Sequence, residues 1–382
     1  MQKMTICYQA KKAISSIKQK SILLLLATSQ ILACTQLGPK FIEGSRTEYN
    51  IAMSHTETEQ LLLNLVRLRY GDSPYFLEAT ALNTQFLLAP TVAASSVLDF
   101  NGNNSYGFSG KLAYEEKPTV TYTPLKGQDF VRQMLSRISV ETIVLLDSSG
   151  WSTARVLNLC VERMNGLDNA SKASGPTPML APDISKFRRS VHLLNILQDA
   201  GQWRLRSTSE NGSYAHVIRF KLPSAKNEDF IKLASLLNLS SDSLEYEVLL
   251  SSSEENQAQI RLETRSFMGV MYFLSQSVEI PSSDIELGKV RITLDESGNA
   301  FSWSNVTGDL MSIKSTSSRP TKAAAAVEYR GSWFYIDDSD LQSKSTLQLL
   351  GQLFALQSKG GINNAPVPVS YTHLTLPTNR EV

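Results

Sequence analysis

The stretch SYGFSGKLAYEEKPTVTYTPL, residues 105–125, carries the clearest structural pattern in the chain. Before its final Leu125, its aromatic and large apolar residues fall at even positions: Tyr106, Phe108, Leu112, Tyr114, Val120 and Tyr122. A repeat of two residues is typical of a β-strand with one apolar face. The stretch PYFLEATALNTQFLL, residues 74–88, is also strand-like, and DFNGNNS between the two supplies turn residues. We expect these strands in an ordinary half-buried domain sheet, with one long two-stranded ribbon over residues 84–125 as the alternative.

Helical and strand patterns interleave along the rest of the chain without a regular β-α-β rhythm. A capping box that begins at Thr56 starts the first predicted helix, and Gly71 ends it. Further helices are predicted over residues 129–137, 140–146, 153–164, 183–201, 228–237, 266–275 and 343–357. Strands are predicted around residue 203 and over residues 214–221, 244–250, 258–263, 290–294, 310–314, 325–329 and 333–336. These patterns favour an α+β fold with mainly antiparallel sheets and interleaved amphipathic helices.

The stretch KQKSILLLLATSQILACTQLG, residues 18–38, contains an apolar core from Ile22 to Ala33. At a rise of 1.5 Å per residue this core spans about 18 Å, well short of the ~30 Å that a bilayer requires. Lysines precede it, and the first acidic residue is Glu43. A basic region, a short apolar region and a terminal small residue are the layout of a secretory signal peptide.

The residues Ile31-Leu32-Ala33-Cys34 resemble the lipobox of bacterial lipoproteins, although Leu32 stands where a small residue is commoner. The resemblance implies that the signal peptide is removed before Cys34 and that the Cys34 thiol carries a diacylglycerol. More than one acyl chain gives durable membrane anchoring. By the sorting rule of enteric bacteria, Thr35 in place of Asp implies the outer membrane. We therefore expect a lipid-anchored, periplasm-facing protein of the cell envelope.

The segment DNASKASGPTPMLAPD, residues 168–183, is rich in Pro, Ser and Gly and is typical of a linker. It separates two predicted α+β domains, residues 54–167 and 184–368. A signal peptide over residues 1–33 and a tether over residues 34–53 precede the first domain. The sequence therefore predicts a two-domain body.

The stretch VSYTHLTLPTNREV, residues 369–382, differs in character from the predicted body. Its opening resembles the translation of a transposase end sequence that is used in sequencing libraries. That resemblance implies a non-native tail in which His373 has no functional role. We expect the natural chain to continue past Pro368 with other residues.

Charge and composition restrict the classes of partner. The chain has 37 Lys and Arg, 36 Asp and Glu, and 42% apolar residues, enough to build substantial cores. Without residues 1–33 and 369–382, 31 basic and 35 acidic residues remain, a net charge of −4. A slightly acidic body without a polybasic segment argues against a nucleic-acid partner.

Few residues with catalytic or metal-binding chemistry remain in the predicted mature chain. Cys160 is the one cysteine besides Cys34, so no intramolecular disulfide is expected, and its apolar helical neighbours predict a buried, inert thiol. The histidines of the predicted body lack zinc-ligand spacing: His55, His192 and His216. We interpret the last two as structural residues of a helix and a strand, and no cofactor is expected.

The stretch YRGSWFYIDDSDLQSKST, residues 329–346, places three carboxylates between a predicted strand and a predicted helix: Asp337, Asp338 and Asp340. Carboxylates in such a loop suit a hard cation, which makes these residues weak candidates for a metal site. The stretch lacks the spacing and the Gly of an EF-hand, and the same residues suit helix capping and turns. We therefore predict capping and no metal.

These patterns predict where the protein works better than what it does there. We predict a structural or assembly role in the envelope without catalysis, with an envelope protein or a second copy as partner and the membrane reached through the lipid. One alternative is an oligomeric secretion or pore component built from the ribbon over residues 84–125. Another is a lipid-anchored hydrolase of envelope glycan, because folding can bring paired carboxylates together.

Overall fold

The computed structural model describes residues 46–97, 105–176, 178–210, 213–221, 227–250 and 256–358. The predicted signal peptide, Cys34 and the tail at 369–382 lie outside these residues. Backbone contacts divide the chain into two units after Gln60. Helix α1 covers residues 46–69, so the start predicted at Thr56 is wrong. The Thr56 hydroxyl donates to the Met53 carbonyl at 2.9 Å inside the helix, which is the other common use of a Thr side chain.

The predicted end of α1 is confirmed. Gly71 has a φ of 79°, in the region that favours glycine. The Gly71 N–H donates to the Leu68 carbonyl at 3.1 Å, and the Asp72 N–H donates to the Arg67 carbonyl at 2.9 Å. These two bonds form a Schellman motif, which satisfies carbonyls that the helix end leaves unpaired.

The alternating stretch forms a hairpin. Strands β1, Leu77–Val97, and β2, Ser105–Pro124, pair antiparallel in a two-stranded sheet of their own. The register runs from Leu77 opposite Pro124 to Val97 opposite Ser105, with one irregularity between Ala79 and Ala81. The predicted strands are confirmed, but within the described residues they form the long ribbon and not part of a larger domain sheet.

The second unit contains the remaining helices of the described residues, and several of them pack in two groups. The helices are α2 (Gln128–Leu135), α3 (Val140–Ser148), α4 (Thr153–Cys160), α5 (Ser185–Asp199), α6 (Glu228–Leu237), α7 (Phe267–Ser275), α8 (Ser282–Glu286), α9 (Ser304–Thr307) and α10 (Leu341–Ser358). Helix α5 packs on α4 and α6, whereas α2, α7 and α10 pack on one another. Their buried apolar side chains belong to one contiguous core.

The largest sheet has the strand order β4-β3-β8-β7-β6-β5. Its strands are β3 (Val161–Met164), β4 (Leu167–Asp168), β5 (Trp203–Glu210), β6 (Ser213–Phe220), β7 (Glu245–Leu250) and β8 (Gln259–Thr264). All neighbours are antiparallel except β7 and β8, which are parallel. The fold is α+β with mainly antiparallel sheets, as predicted.

The junction between α4 and β3 departs from the prediction. The predicted helix 153–164 ends at Cys160, and the chain continues directly as a strand. Val161 pairs with Thr264 of β8, and the Arg265 N–H donates to the Cys160 carbonyl at 2.7 Å. Tertiary pairing with β8 therefore overrides the helical periodicity of the sequence.

The buried side chain of Arg265 closes this junction. Its Nη1 donates to the carbonyls of Leu159 at 3.0 Å and Val161 at 2.8 Å, and its Nη2 donates to the Asn169 carbonyl. A cation is stabilised by the carbonyls that end a helix. Burial lowers the pKa of Arg265 to about 10, so the guanidinium remains charged at neutral pH.

The third sheet has the order β10-β11-β9, formed by β9 (Lys314–Thr316), β10 (Ala323–Tyr329) and β11 (Ser332–Asp337). The strand predicted over residues 290–294 is wrong, because within this segment Leu294 alone has β-type pairing, in isolated bridges with Leu180 and Ala300. The strand predicted over 310–314 overlaps β9 only at its last residue. The predicted strands over 325–329 and 333–336 are confirmed.

The predicted linker 168–183 lies inside one structural unit. Strand β3 precedes it and β4 includes its first residue, and both strands share a sheet with β5 to β8, which follow it. The segment contains a 3-10 turn, Ser171–Ser174, and Leu180 forms a bridge with Leu294. In the part of the chain that the structure describes, no helix has the length and apolarity needed to cross a membrane.

Candidate functional site

The β1–β2 hairpin presents an apolar face at its base. Leu77, Leu82 and Tyr122 are 37%, 38% and 49% exposed. The register places Ala79 opposite Tyr122 and Leu82 opposite Val120, so all these residues lie on one face of the ribbon. Asn83 and Thr121 are exposed on the opposite, polar face. The ribbon is therefore amphipathic where it leaves the body, and its apolar face is uncovered there.

A β-bulge keeps the apolar residues of β1 on that face. Ala79 pairs with Tyr122 and Ala81 pairs with Thr121, so two steps along β1 correspond to one step along β2. Thr80 is therefore the extra residue. Before the bulge the apolar face takes the odd residue Leu77, and after it takes the even residue Leu82. If Thr80 took an ordinary paired position in the strand, Leu82 would lie on the polar face, because a slip of one residue exchanges the faces of a strand.

The register extends the same division of residues along the ribbon. Beyond the base, one face carries residue pairs with mostly apolar and aromatic members: Phe86–Glu116, Leu88–Tyr114, Pro90–Leu112, Val92–Gly110, Ala94–Phe108 and Ser96–Tyr106. The alternate pairs have, apart from Leu87, small, polar or charged members: Gln85–Lys117, Leu87–Glu115, Ala89–Ala113, Thr91–Lys111, Ala93–Ser109 and Ser95–Gly107. A strand pair with one apolar and one polar face suits an interface between water and an apolar medium.

Asn64 of α1 anchors the start of the hairpin. This side chain is fully buried, its Nδ2 donates to the Tyr75 carbonyl at 2.9 Å, and its Oδ1 accepts from the Tyr75 N–H at 2.9 Å. A single amide therefore satisfies both backbone groups of the residue two places before β1. Such a pair of bonds fixes the direction in which the strand leaves the helix.

Phe76 fixes the next residue in an aromatic cluster. Its ring stacks on Phe354 with 4.9 Å between centroids and lies near Phe130 and Phe267 at 6.1 and 6.3 Å. The Phe76 carbonyl accepts from the Leu125 N–H at 3.0 Å, which joins the two ends of the hairpin at the body. The root of the ribbon is thus packed into the core, and its strands begin one residue later.

Two polar networks hold the turn between α1 and the hairpin. The Tyr70 hydroxyl and the Lys289 ammonium both donate to Asp284 at 2.6 Å. These bonds, with that from Lys289 the stronger influence, lower the pKa of Asp284, while burial raises the pKa of Tyr70. Asp72 accepts from the Tyr329 hydroxyl and from Arg330, and the Tyr329 bond is the main cause of its lowered pKa.

The outer edges of the ribbon are available for pairing. Within the described ranges, neither β1 nor β2 pairs with a third strand. A strand edge of this kind is a template for another strand, and proteins normally shorten, bend or cover it. Here the edges run along strands of 21 and 20 residues. The hairpin is therefore our candidate functional site, because its unpaired edges and its exposed apolar face can both take part in association.

The sequence-predicted metal candidates form caps and ion pairs. Asp337 accepts from the Ser339 N–H at 3.0 Å, and Asp340 accepts from the Ser343 N–H at 3.0 Å at the start of α10. Asp338 pairs with Lys344 at 2.7 Å. Across the described residues, no group of three or more His, Cys, Asp or Glu side chains is arranged to hold a metal ion. The predicted capping role is confirmed.

The remaining candidates have structural surroundings. Cys160 is buried, as predicted, and burial raises the pKa of its thiol to about 12. His192 is exposed on α5. His216 is buried and bridges the Ser207 hydroxyl at 3.0 Å and the Glu141 carboxylate at 3.2 Å. Sequence analysis missed this Ser–His–Glu chain because its members are on β5, β6 and α3.

Comparisons with known proteins give no relative. No protein-family model, curated protein or solved structure matches the chain.

Proposed function

We propose that this protein is a lipid-anchored component of the cell envelope that acts by assembly, with the β1–β2 hairpin as its contact element. The observation that carries the proposal is a long amphipathic ribbon whose apolar face is exposed at Leu82 and Tyr122. A two-stranded hairpin alone in water is at best marginally stable. Docking on a second copy would cover the face and pair the edges, which supplies the burial that the ribbon lacks.

The partner is a second copy of the chain, because the hairpin is complementary to itself. Its edges offer the same backbone donors and acceptors to any strand, and its apolar face matches another apolar face. The lipid predicted at Cys34 supports the same proposal, since anchoring confines copies to one surface and raises their effective concentration.

The test compares two neighbouring substitutions on opposite faces of the ribbon. In Leu82→Asp a charge enters the apolar face, and in Asn83→Asp, the matched control, it enters the polar face. Light scattering after gel filtration in one mild detergent should give an oligomer for the parent and for Asn83→Asp, and a smaller species for Leu82→Asp. A monomeric parent, or equal masses for both variants, would contradict the proposal.

A pore is the more specific form of this assembly that the register favours. The amphipathic pairs cover about twelve residues of each strand, and 9–11 residues suffice for a tilted strand to cross a bilayer. In a ring of hairpins the apolar face would meet lipid, and the face with Lys111 would line an aqueous passage. Conductance across planar bilayers tests this form: Lys111→Glu should shift the ion selectivity toward cations, and Ser109→Thr should not.

The glycan-hydrolase alternative lacks comparable support. Such enzymes need two carboxylates on opposite sides of one bond. The cavity beside α5 is lined by one carboxylate, Asp309, and the cavity beside α9 by one, Glu279. Neither of these two cavities offers the required pair.

A further inference from the structure

Two buried side-chain atoms have no hydrogen-bond partner in the part of the chain that the structure describes. They are Nε of Arg69 and Oε1 of Gln276. Buried polar atoms are nearly always paired, so each exception requires an explanation. Both residues line the same two cavities, one of about 440 Å³ and one of about 560 Å³. The two cavities therefore share the two residues that carry these atoms, one a donor and the other an acceptor.

The smaller cavity is basic. Arg69, Lys289 and Arg291 line it together with Tyr70. Lys289 is neutralised by Asp284 at 2.6 Å, whereas the described residues place no carboxylate in an ion pair with Arg69. Among the described residues, Nη1 of Arg69 donates to the Arg291 carbonyl at 3.1 Å. A half-buried cation without a counter-charge loses part of its hydration, and an anion in the cavity would offset that loss.

The orientation of the Gln276 amide is determined by its neighbour. The Ser275 hydroxyl donates its single proton to the Tyr272 carbonyl at 2.7 Å, so toward Gln276 it acts as an acceptor. The amide nitrogen of Gln276 therefore faces Ser275, at 3.5 Å, and Oε1 is left for the cavity. Since this side chain is only 6% exposed, Oε1 requires a donor from whatever occupies the cavity.

The larger cavity is mainly apolar. Its walls include Ile285, Ile292, Phe301, Trp303 and Met311. Ile285 and Ile292 are each 40% exposed, so part of this apolar wall is uncovered in the protein alone. The one carboxylate there, Glu279, accepts from the Ser315 N–H at 3.2 Å. The wall is therefore suited to an apolar chain, and its volume is within the range of small-molecule sites.

We propose that the two cavities together bind an amphiphile with an anionic oxygen, an adjacent N–H or O–H donor and one apolar chain. The anionic oxygen accepts from Nε of Arg69, and the donor pairs with Oε1 of Gln276. The apolar chain lies along the wall formed by Ile285 and Ile292. An acylated amino acid and an alkyl phosphate monoester both carry this headgroup chemistry, whereas a plain fatty acid lacks the donor.

The first test uses the full-length protein and four probes below their micelle concentrations, with one nonionic detergent in every sample. Calorimetry should show that N-dodecanoylglycine binds at least about tenfold more tightly than N-acetylglycine, because the chain enters the apolar cavity. It should bind about fivefold more tightly than dodecanoate, because only the acylated glycine offers a donor. Dodecyl phosphate in place of N-dodecanoylglycine distinguishes a phosphate headgroup from a carboxylate.

The second test uses variants. Arg69→Gln should weaken N-dodecanoylglycine at least about tenfold, whereas Arg67→Gln, on the same helix and outside the cavities, should leave binding unchanged. Gln276→Leu should remove the preference for N-dodecanoylglycine over dodecanoate. The probe series on the parent protein remains decisive if a variant does not fold. Absence of binding by every probe, as for a cavity that holds only water, or equal loss in both arginine variants would overturn the proposal.

Discussion

At the scale of single residues, Asn64 has the clearest structural role, because one buried amide satisfies both backbone groups of Tyr75. Replacing it with the similarly sized Leu leaves an N–H and a carbonyl without partners. We expect Asn64→Leu to lower the free energy of unfolding by about 2–4 kcal/mol. Urea unfolding followed by circular dichroism measures this loss.

The control for that experiment is Asn195→Leu on α5, where the amide pairs with Asp199 at the surface. Exposed pairs of this kind contribute about 0–0.5 kcal/mol. A loss in Asn64→Leu no larger than in Asn195→Leu would show that the amide does not anchor the hairpin.

Asp284 gives a pH dependence with a definite sign. Its pKa is lowered in the folded protein, chiefly by Lys289 and then by Tyr70. A lowered pKa means that the bonds stabilise the fold above the unfolded pKa, near 3.9, and lose their effect as the pH falls through the folded value. We therefore expect Asp284→Asn to be less stable than the parent at pH 7 and to approach it near pH 3. Urea titrations across this range measure the difference, and a constant difference would contradict the linkage.

At the scale of elements, the bulge at Thr80 decides which residues of β1 share a face with Tyr122. Deleting Thr80 should remove the bulge but leave Leu82 opposite Val120 on the apolar face, because Ala81 would then follow Ala79 directly and keep its partner Thr121. We therefore expect the deletion variant to form the same oligomer as the parent. Thr80→Ala, which retains the extra residue, is the control, and light scattering after gel filtration measures the mass of both variants. A smaller species for the deletion alone would show that the bulge itself is needed for assembly.

Elements with a local cause were predictable from the sequence. The glycine that ends α1 and the alternation of β2 depend on neighbouring residues, and both predictions are confirmed. The strand after Cys160 was not predictable, because Val161 pairs with Thr264, about a hundred positions away. The bulge was missed for a related reason: the apolar residues of β1 change parity at Thr80, and only the pairing with β2 shows why.

At the scale of the whole molecule, the hairpin should be separable from the body. Its root is held by Phe76 and Leu125, whose backbone bond closes the ribbon at 3.0 Å. We expect replacement of residues 85–117 by an Asn-Gly turn to leave the melting temperature within about 2 °C of the parent, since the core contacts of the root remain. Differential scanning calorimetry measures this, and a large drop would show that the ribbon contributes to the stability of the body.

The candidate ligand site shows where prediction from sequence ends. Arg69 lies at the end of α1, and Gln276 follows α7, so only the packed structure places them on the same cavities. Neither residue belongs to a recognisable motif. The sequence did indicate the strands of the ribbon, because their two-residue period is visible in a single stretch of chain. It favoured an ordinary domain sheet, however, because the same period serves both arrangements.

The backbone bond between Phe76 and Leu125 closes the hairpin at the body, so the length of the hairpin can change without a change in the body. Both strands enter and leave the body side by side, so residues can be inserted at or lost from the far end in opposed pairs without altering the root. Each added pair lengthens the arm by about 3.3 Å. Paired insertions or deletions at the tip would therefore change how far the arm extends while the folded body stays the same.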